Sequence, residues 1–147
     1  MKELIEFAII AHRSPVYEEA CQLRDEMLRK PLGLSLFDED LDIEADYVHV
    51  IGRDHSGALQ AYLQLKPIDA KVLKMQQVAV VAHLQGQGIG RALVEFAEAH
   101  ARSAGYTEMI LHARGEVAGF YEMLGYRKEG ESFLEVTIPH FKQRKLL

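Results

Sequence analysis

Cysteine is almost missing from the chain. Cys21 stands alone in 147 residues, so neither a disulfide framework nor a multi-cysteine metal site can be built, and a reducing compartment fits. Long hydrophobic runs are missing too. No apolar stretch approaches the ~20 residues that cross a bilayer. The start, Met1-Lys2-Glu3-Leu4-Ile5-Glu6, carries acids where a signal peptide carries its apolar core. A cytoplasmic protein with no membrane partner is the expectation. Positive charge is also short. The formal net charge of −5 argues against a general affinity for nucleic acid, although a local basic patch for a small anion is still allowed. The seven histidines form neither His-x-x-x-His nor His-Glu-x-x-His, so no metal is predicted. Repeats and low-complexity segments are absent. Residues 1–147 are therefore read as one domain.

Hydrophobic residues make up 48% of the chain, enough for a sizeable core without staples. Leu4 to Ile10 reads as a first strand. Ser14-Pro15, followed by Glu18 and Glu19, starts a helix that runs to about Arg29. Val16, Ala20, Leu23 and Met27 fall on one stripe of it, and Pro31 ends it. Pro31 to Phe37 is an apolar loop or short helix. The acidic run Asp38 to Glu44 follows. It is either a solvated surface or a substrate rim that attracts a cationic amine. Tyr47 to Ile51 and Ala58 to Leu65 read as a hairpin, and Val72 to Val81 as a long strand. Ile89, Leu93, Phe96, Ala97, His100 and Ala104 mark the buried face of a helix closed by Gly105. Met109 to Leu111 is a short strand, which completes a β-α-β unit. Glu116 to Leu124 is a second, shorter helix closed by Gly125. Tyr126-Arg127 and Phe133 to Ile138 read as strand. Pro139 interrupts, and Phe141 to Leu147 is expected as a last edge strand.

Between the long strand and the helix lies Gln85-Gly86-Gln87-Gly88-Ile89-Gly90-Arg91. Strand, glycine turn, helix is a layout that binds phosphate on backbone N–H groups, because glycine permits close approach and the helix N-terminus offers free donors. The spacing is not the dinucleotide form G-x-G-x-x-G, and the phosphate-loop ending Gly-Lys-Ser/Thr is absent.

Gln85-x-x-Gly88-x-Gly90 in this setting resembles the acyl-CoA-binding motif of the GNAT family of N-acetyltransferases. Gly119-Phe120-Tyr121-Glu122-Met123-Leu124-Gly125-Tyr126 is similar to that family's later signature, an aromatic–Tyr pair on a short helix. Lys74 to Val80 looks like the preceding strand, and Phe133-x-Glu135-x-x-Ile138-Pro139-His140 resembles the C-terminal segment of a small bacterial subgroup. The resemblance covers nearly the whole chain. It implies an α/β fold with a mixed, mostly antiparallel sheet of six or seven strands and helices on both faces. It implies transfer of an acetyl group from acetyl-CoA to an amine, by direct attack in a ternary complex. The alternative is a non-catalytic acyl-CoA-binding or sensor domain.

On this sequence, the resemblance assigns the cofactor pyrophosphate to the amides of Gln85, Gly86, Gln87, Gly88, Ile89, Gly90 and Arg91, with added charge from Arg91. Val78 and Val80 would run beside the pantetheine arm, and the N–H of Val80 would face the thioester oxygen. Tyr121 is the expected acid toward the leaving thiolate. The base is open among His112, Glu135 and His140. Arg114 stands where many members have asparagine and Val117 where they often have alanine, so Arg114 is read as a contact to CoA phosphate or substrate, with a solvent-facing arginine as the alternative. The acceptor is a small-molecule or peptide amine. A homodimer is within what the resemblance implies, with no stretch that marks its interface.

Overall fold

The structure, a computed structural model, describes residues 4–147. The first three residues of the acidic start, Met1 to Glu3, lie outside the described residues. Among the described residues, seven strands form one sheet: β1 (Glu6–Ile10), β2 (Val48–Arg53), β3 (Leu59–Pro67), β4 (Val72–Val80), β5 (Glu108–Arg114), β6 (Arg127–Glu135) and β7 (Ile138–Leu146). The spatial order is β1-β2-β3-β4-β5-β7-β6. Only the β4–β5 pairing is parallel, as a strand–helix–strand crossover requires. Three helices accompany the sheet: α1 (Pro15–Leu28), α2 (Ile89–Ser103) and α3 (Ala118–Met123).

Alternation along β3 places the helices on opposite faces. Tyr62 packs with Ala20 of α1, while Leu63 and Leu65 pack with Leu93, Val94 and Ala97 of α2. α1 starts as its sequence predicts: the Ser14 hydroxyl accepts from the Tyr17 amide at 3.2 Å, and proline opens the first turn. Its buried face differs from the expected stripe. Val16, Leu23 and Met27 are half-buried, and the helix instead buries Tyr17, Ala20, Cys21, Arg24 and Asp25. A polar stripe is tolerated because its charges are met, although Arg24 Nε is left without a partner among the described residues. Arg24 meets Glu44, and Asp25 accepts from the Leu36 amide at 2.9 Å. On α2, Phe96 and His100 are half-buried and Ala104 is exposed, while Val94, Glu98 and Ala101 take the inner positions. Glu98 can be buried because it accepts from the Tyr126 hydroxyl at 2.8 Å and from Lys145 at 3.0 Å.

The last strand is not an edge. β7 inserts between β5 and β6, and β6, rich in exposed charge, takes the edge. Pro139 lies within β7 rather than before it. It precedes His140, the first residue paired to β5, so its missing N–H costs no bond on that side. The acidic run divides as well. Asp42 pairs with Arg13, Glu39 with Arg29, and Glu44 is buried against Arg24. It is neither uniformly solvated nor a free anionic rim.

One irregularity shapes everything that follows. The β3–β4 register steps from Tyr62↔Ala79 to Gln64↔Gln76, so β4 carries one extra residue. Gln77 takes φ +57 there. Its side-chain oxygen accepts from Arg29 at 3.2 Å and lies 3.5 Å from Arg24. The bulge is thus anchored to α1.

Candidate active site

Below the bulge, β4 and β5 are paired from Val72↔Glu108 to Met75↔Leu111. Above it they are not, although β4 runs on to Val80 and β5 to Arg114. The splay opens a cavity of about 700 Å³. It passes from the α2–α3 side, at Gln85, Val117 and Tyr121, to the α1 side, at Met27, Arg29 and Leu34.

Backbone groups line the opening. The Val81 N–H donates to the Gln60 carbonyl at 3.0 Å. Successive residues of a strand address opposite edges, so the N–H and C=O of Val80 turn toward the splay. The Gln85 amide holds that carbonyl at 2.9 Å, and the Val80 N–H has no strand to pair with. Val78 and Val80 both line the cavity.

The glycine turn follows one short turn, Ala82–Leu84, which Leu84 pins into the core. Gly86 and Gly88 have φ of +79 and +83, which side-chain-bearing residues reach only with strain. A Cβ on either would meet nothing within 4 Å, so that side of the turn is open. Gly88 caps α2 without a side chain, and the first N–H groups of the helix keep their donors free. Gly90 differs. Its dihedrals are ordinary and a methyl there would sit 3.5 Å from the Phe120 ring, a normal contact. Ile89 is buried in the core, so only its amide is available to a ligand. Gln87 donates to the His83 carbonyl at 3.3 Å. Arg91 is exposed and paired with Glu95 one turn on at 2.7 Å, an interaction weak enough to exchange for another anion.

Side chains with proton-transfer capacity converge in the cavity. The Tyr121 ring stacks edge-on to Phe120 and Tyr126. Burial pushes its hydroxyl up to about 12, so it stays a donor at neutral pH. On the other side, Glu135 bridges two histidines: His112 Nδ1 lies 3.1 Å from one oxygen and His140 Nε2 3.5 Å from the other. The Phe133 ring packs against both imidazoles. His140 Nδ1 contacts the Ile138 carbonyl at 2.7 Å. Arg114 lines the end of β5 next to Glu116.

Of the residues singled out from sequence, Val78, Val80, Gln85, His112, Arg114, Tyr121, Glu135 and His140 share this cavity. Gly86, Gln87, Gly88, Ile89, Gly90 and Arg91 form the adjoining turn. Two contributors escaped the sequence reading. Lys74 on β4 lines the floor, and burial lowers its ammonium from the ordinary lysine range. Gln77 is unremarkable in sequence and becomes visible only as the bulge residue. Among the described residues, no cluster of three or more His, Cys, Asp or Glu could hold a metal, and no helix is long and apolar enough to cross a membrane.

Comparison with known proteins gives a consistent result. The sequence model of the acetyltransferase (GNAT) family matches residues 17–126. A candidate acetyltransferase of Bacillus subtilis (strain 168) is 28% identical over 137 residues, covering 88% of this chain and 80% of that protein. N-acetyltransferase 8 of Rattus norvegicus is 36% identical over 74 residues, 48% of this chain and 33% of that one. Among solved structures, an acyl-CoA N-acyltransferase from Pseudomonas aeruginosa superposes with a TM-score of 0.80 at 25% identity, over 97% of this chain and 99% of that chain.

Proposed function

The chain belongs to the acetyltransferase (GNAT) family and is an acetyl-CoA-dependent N-acetyltransferase; from that premise we propose that the splay cavity is where an acceptor amine attacks the thioester directly. The chain acts in this reading as one domain, since a single sheet carries both halves of the site. The observation that carries it is the opening between β4 and β5, which brings Val80, Tyr121, His112 and Glu135 to one cavity.

The residues suit acetyl-CoA. The turn from Gln85 to Arg91 offers oriented N–H groups and a helix N-terminus to a pyrophosphate, with open space at Gly86 and Gly88. Arg91 and Arg114 add positive charge. The edge of β4 at Val78 and Val80 can pair with an extended amide-bearing arm as an added strand would. Acetyl-CoA supplies the activated acetyl group, and CoA leaves as the thiol. The Val80 N–H faces the thioester oxygen and stabilises the charge that develops on it. Tyr121, protonated and buried, donates to the departing sulfur. Glu135, held between His112 and His140, takes the amine's proton directly or through His112.

Replacing Tyr121 by Phe tests the assignment. Turnover with an acceptor amine should fall about 100-fold, within the range for a general acid. Acetyl-CoA affinity by calorimetry should stay within about twofold. Unchanged turnover removes Tyr121 from the chemistry. Acetyl-CoA binding without transfer to any amine in a broad panel would return the reading to a sensor domain.

A further inference from the structure

We propose that the acceptor is an amine carrying both an apolar side chain and a carboxylate, the chemistry of an apolar α-amino acid, and that Lys74 binds the carboxylate. This rests on the acetyl-transfer reading above and narrows its acceptor.

The acceptor half of the cavity is mostly hydrocarbon. Met27, Leu28, Leu32 and Leu34 line it from α1 and the following turn, and Val136 and Ile138 from the β6–β7 hairpin. Its charges are largely matched. Arg29 holds Glu39 through two contacts, at 2.6 and 3.2 Å, and Glu135 is taken by His112 and His140. Arg114 and Glu116, of opposite sign, both line the cavity at the β5 end.

On the β4 floor Lys74 is unmatched. It lies on the β4 floor, opposite Lys66 and Ile110, half-buried, with no ion pair to any described residue. Lys66 and Lys142 add to the positive field around it, and Glu135 is near enough to be felt but not to bond. A desolvated ammonium without a partner is costly, and an anion placed there relieves that cost. The proposed base is close by, so one small molecule can present its amine to Glu135 and its carboxylate to Lys74. A polycation finds a poorer match, because Glu135 already lies against two histidines and three acids of the acidic run, Glu39, Asp42 and Glu44, are spent on Arg29, Arg13 and Arg24. Of that run, Asp38 and Asp40 alone are exposed without an ion pair to a described residue.

The test is steady-state acetyl transfer to three matched probes, leucine, leucinamide and isopentylamine, with spermidine as a fourth, in the parent and in Lys74→Met and Lys74→Gln. The parent should favour leucine over leucinamide by about tenfold or more in kcat/KM, the scale of one hydrogen bond to a charged group. Both variants should lose most of that preference through KM for the acceptor, with KM for acetyl-CoA unchanged. Transfer to leucinamide, isopentylamine or spermidine at least as good as to leucine overturns the inference while leaving the transferase reading intact. So does a preference that survives in both variants. Absence of transfer to every amine overturns the transferase reading and the inference together.

Discussion

Glu44→Gln is the substitution whose effect the structure sizes most directly. The Glu44 carboxylate accepts two contacts from the Arg24 guanidinium, at 2.8 and 2.6 Å, and one from the Tyr17 hydroxyl at 2.7 Å. The two side chains are 1% and 7% exposed, and Arg24 also lies over the Tyr62 ring. Glutamine keeps the shape and removes the charge. Arg24 then stays cationic in a site with nothing to neutralise it. Breaking a buried pair from one side costs about 3–5 kcal/mol, a large part of a total of roughly 5–15 kcal/mol. For a chain of this size that is a fall of about 10 °C in Tm. Thermal and urea unfolding of the parent, Glu44→Gln, Arg24→Met and the double variant would read it as a cycle. The double variant should recover at least ~1 kcal/mol over the sum of the singles, because each change removes the other's penalty. Since Arg24 also faces Gln77 at the bulge, acetyl-CoA affinity should fall in Glu44→Gln as well. A Tm within about 2 °C of the parent, or strict additivity, would refute the reasoning.

The same cluster should make the protein acid-sensitive. Burial pushes the Glu44 carboxyl up, but Arg24 and Tyr17 outweigh it and hold it below the ordinary range, while burial also lowers the His49 imidazole. Both native values lie below the unfolded ones, so the stabilisation is complete above about pH 6.5 for His49 and above about 4.3 for Glu44. It is lost as pH falls; urea midpoints should drop steadily from pH 7 to 4, and His49→Gln should flatten the upper part of that curve. Gly88→Ala should weaken acetyl-CoA binding and cost about 1 kcal/mol, because φ +83 suits glycine, whereas Gly90→Ala should stabilise α2 by about 0.5–1 kcal/mol; paired calorimetry and melting separate the two. At the β6–β7 turn, Val136 and Thr137 both have positive φ, so Thr137→Gly should raise stability by about 0.5–1 kcal/mol, and a lower Tm would discount strain there. Glu135→Gln should lower kcat for the acceptor by about 100-fold, within the range for a general base, with acetyl-CoA affinity unchanged; a loss carried by the acceptor KM alone would make Glu135 a binding group instead.

Local signals made much of this legible in the sequence. Ser14-Pro15 marks the start of α1, Gly105 and Gly125 its successors' ends, and the Gln85 to Arg91 turn its place between strand and helix. Each is a short-range rule, and the structure obeys each. The departures come where distant residues compensate one another. A helix stripe containing Arg24 and Asp25 looks solvent-facing until Glu44 and the Leu36 amide arrive from a later segment. β7 looks like an edge because sequence order does not reveal that the last strand inserts inside β6. The trio of His112, Glu135 and His140 was named residue by residue, but its assembly follows from the β5–β7–β6 register, which sets Arg114 opposite His140 and Glu135 opposite Ile138.

Gln77 shows why stability and chemistry are joined here. An extra residue in β4 has to be accommodated, and a non-glycine at φ +57 stays there only if something holds it. Arg29 and Arg24 do so through its side-chain oxygen, and each is itself fixed by a carboxylate, Glu39 and Glu44. Above this anchor β4 diverges from β5, and the divergence leaves the Val80 N–H facing the cavity rather than a neighbouring strand. The acidic run therefore serves the site from a distance. Two of its carboxylates set the arginines that set the bulge, and the bulge creates the opening in which the thioester and the amine can meet.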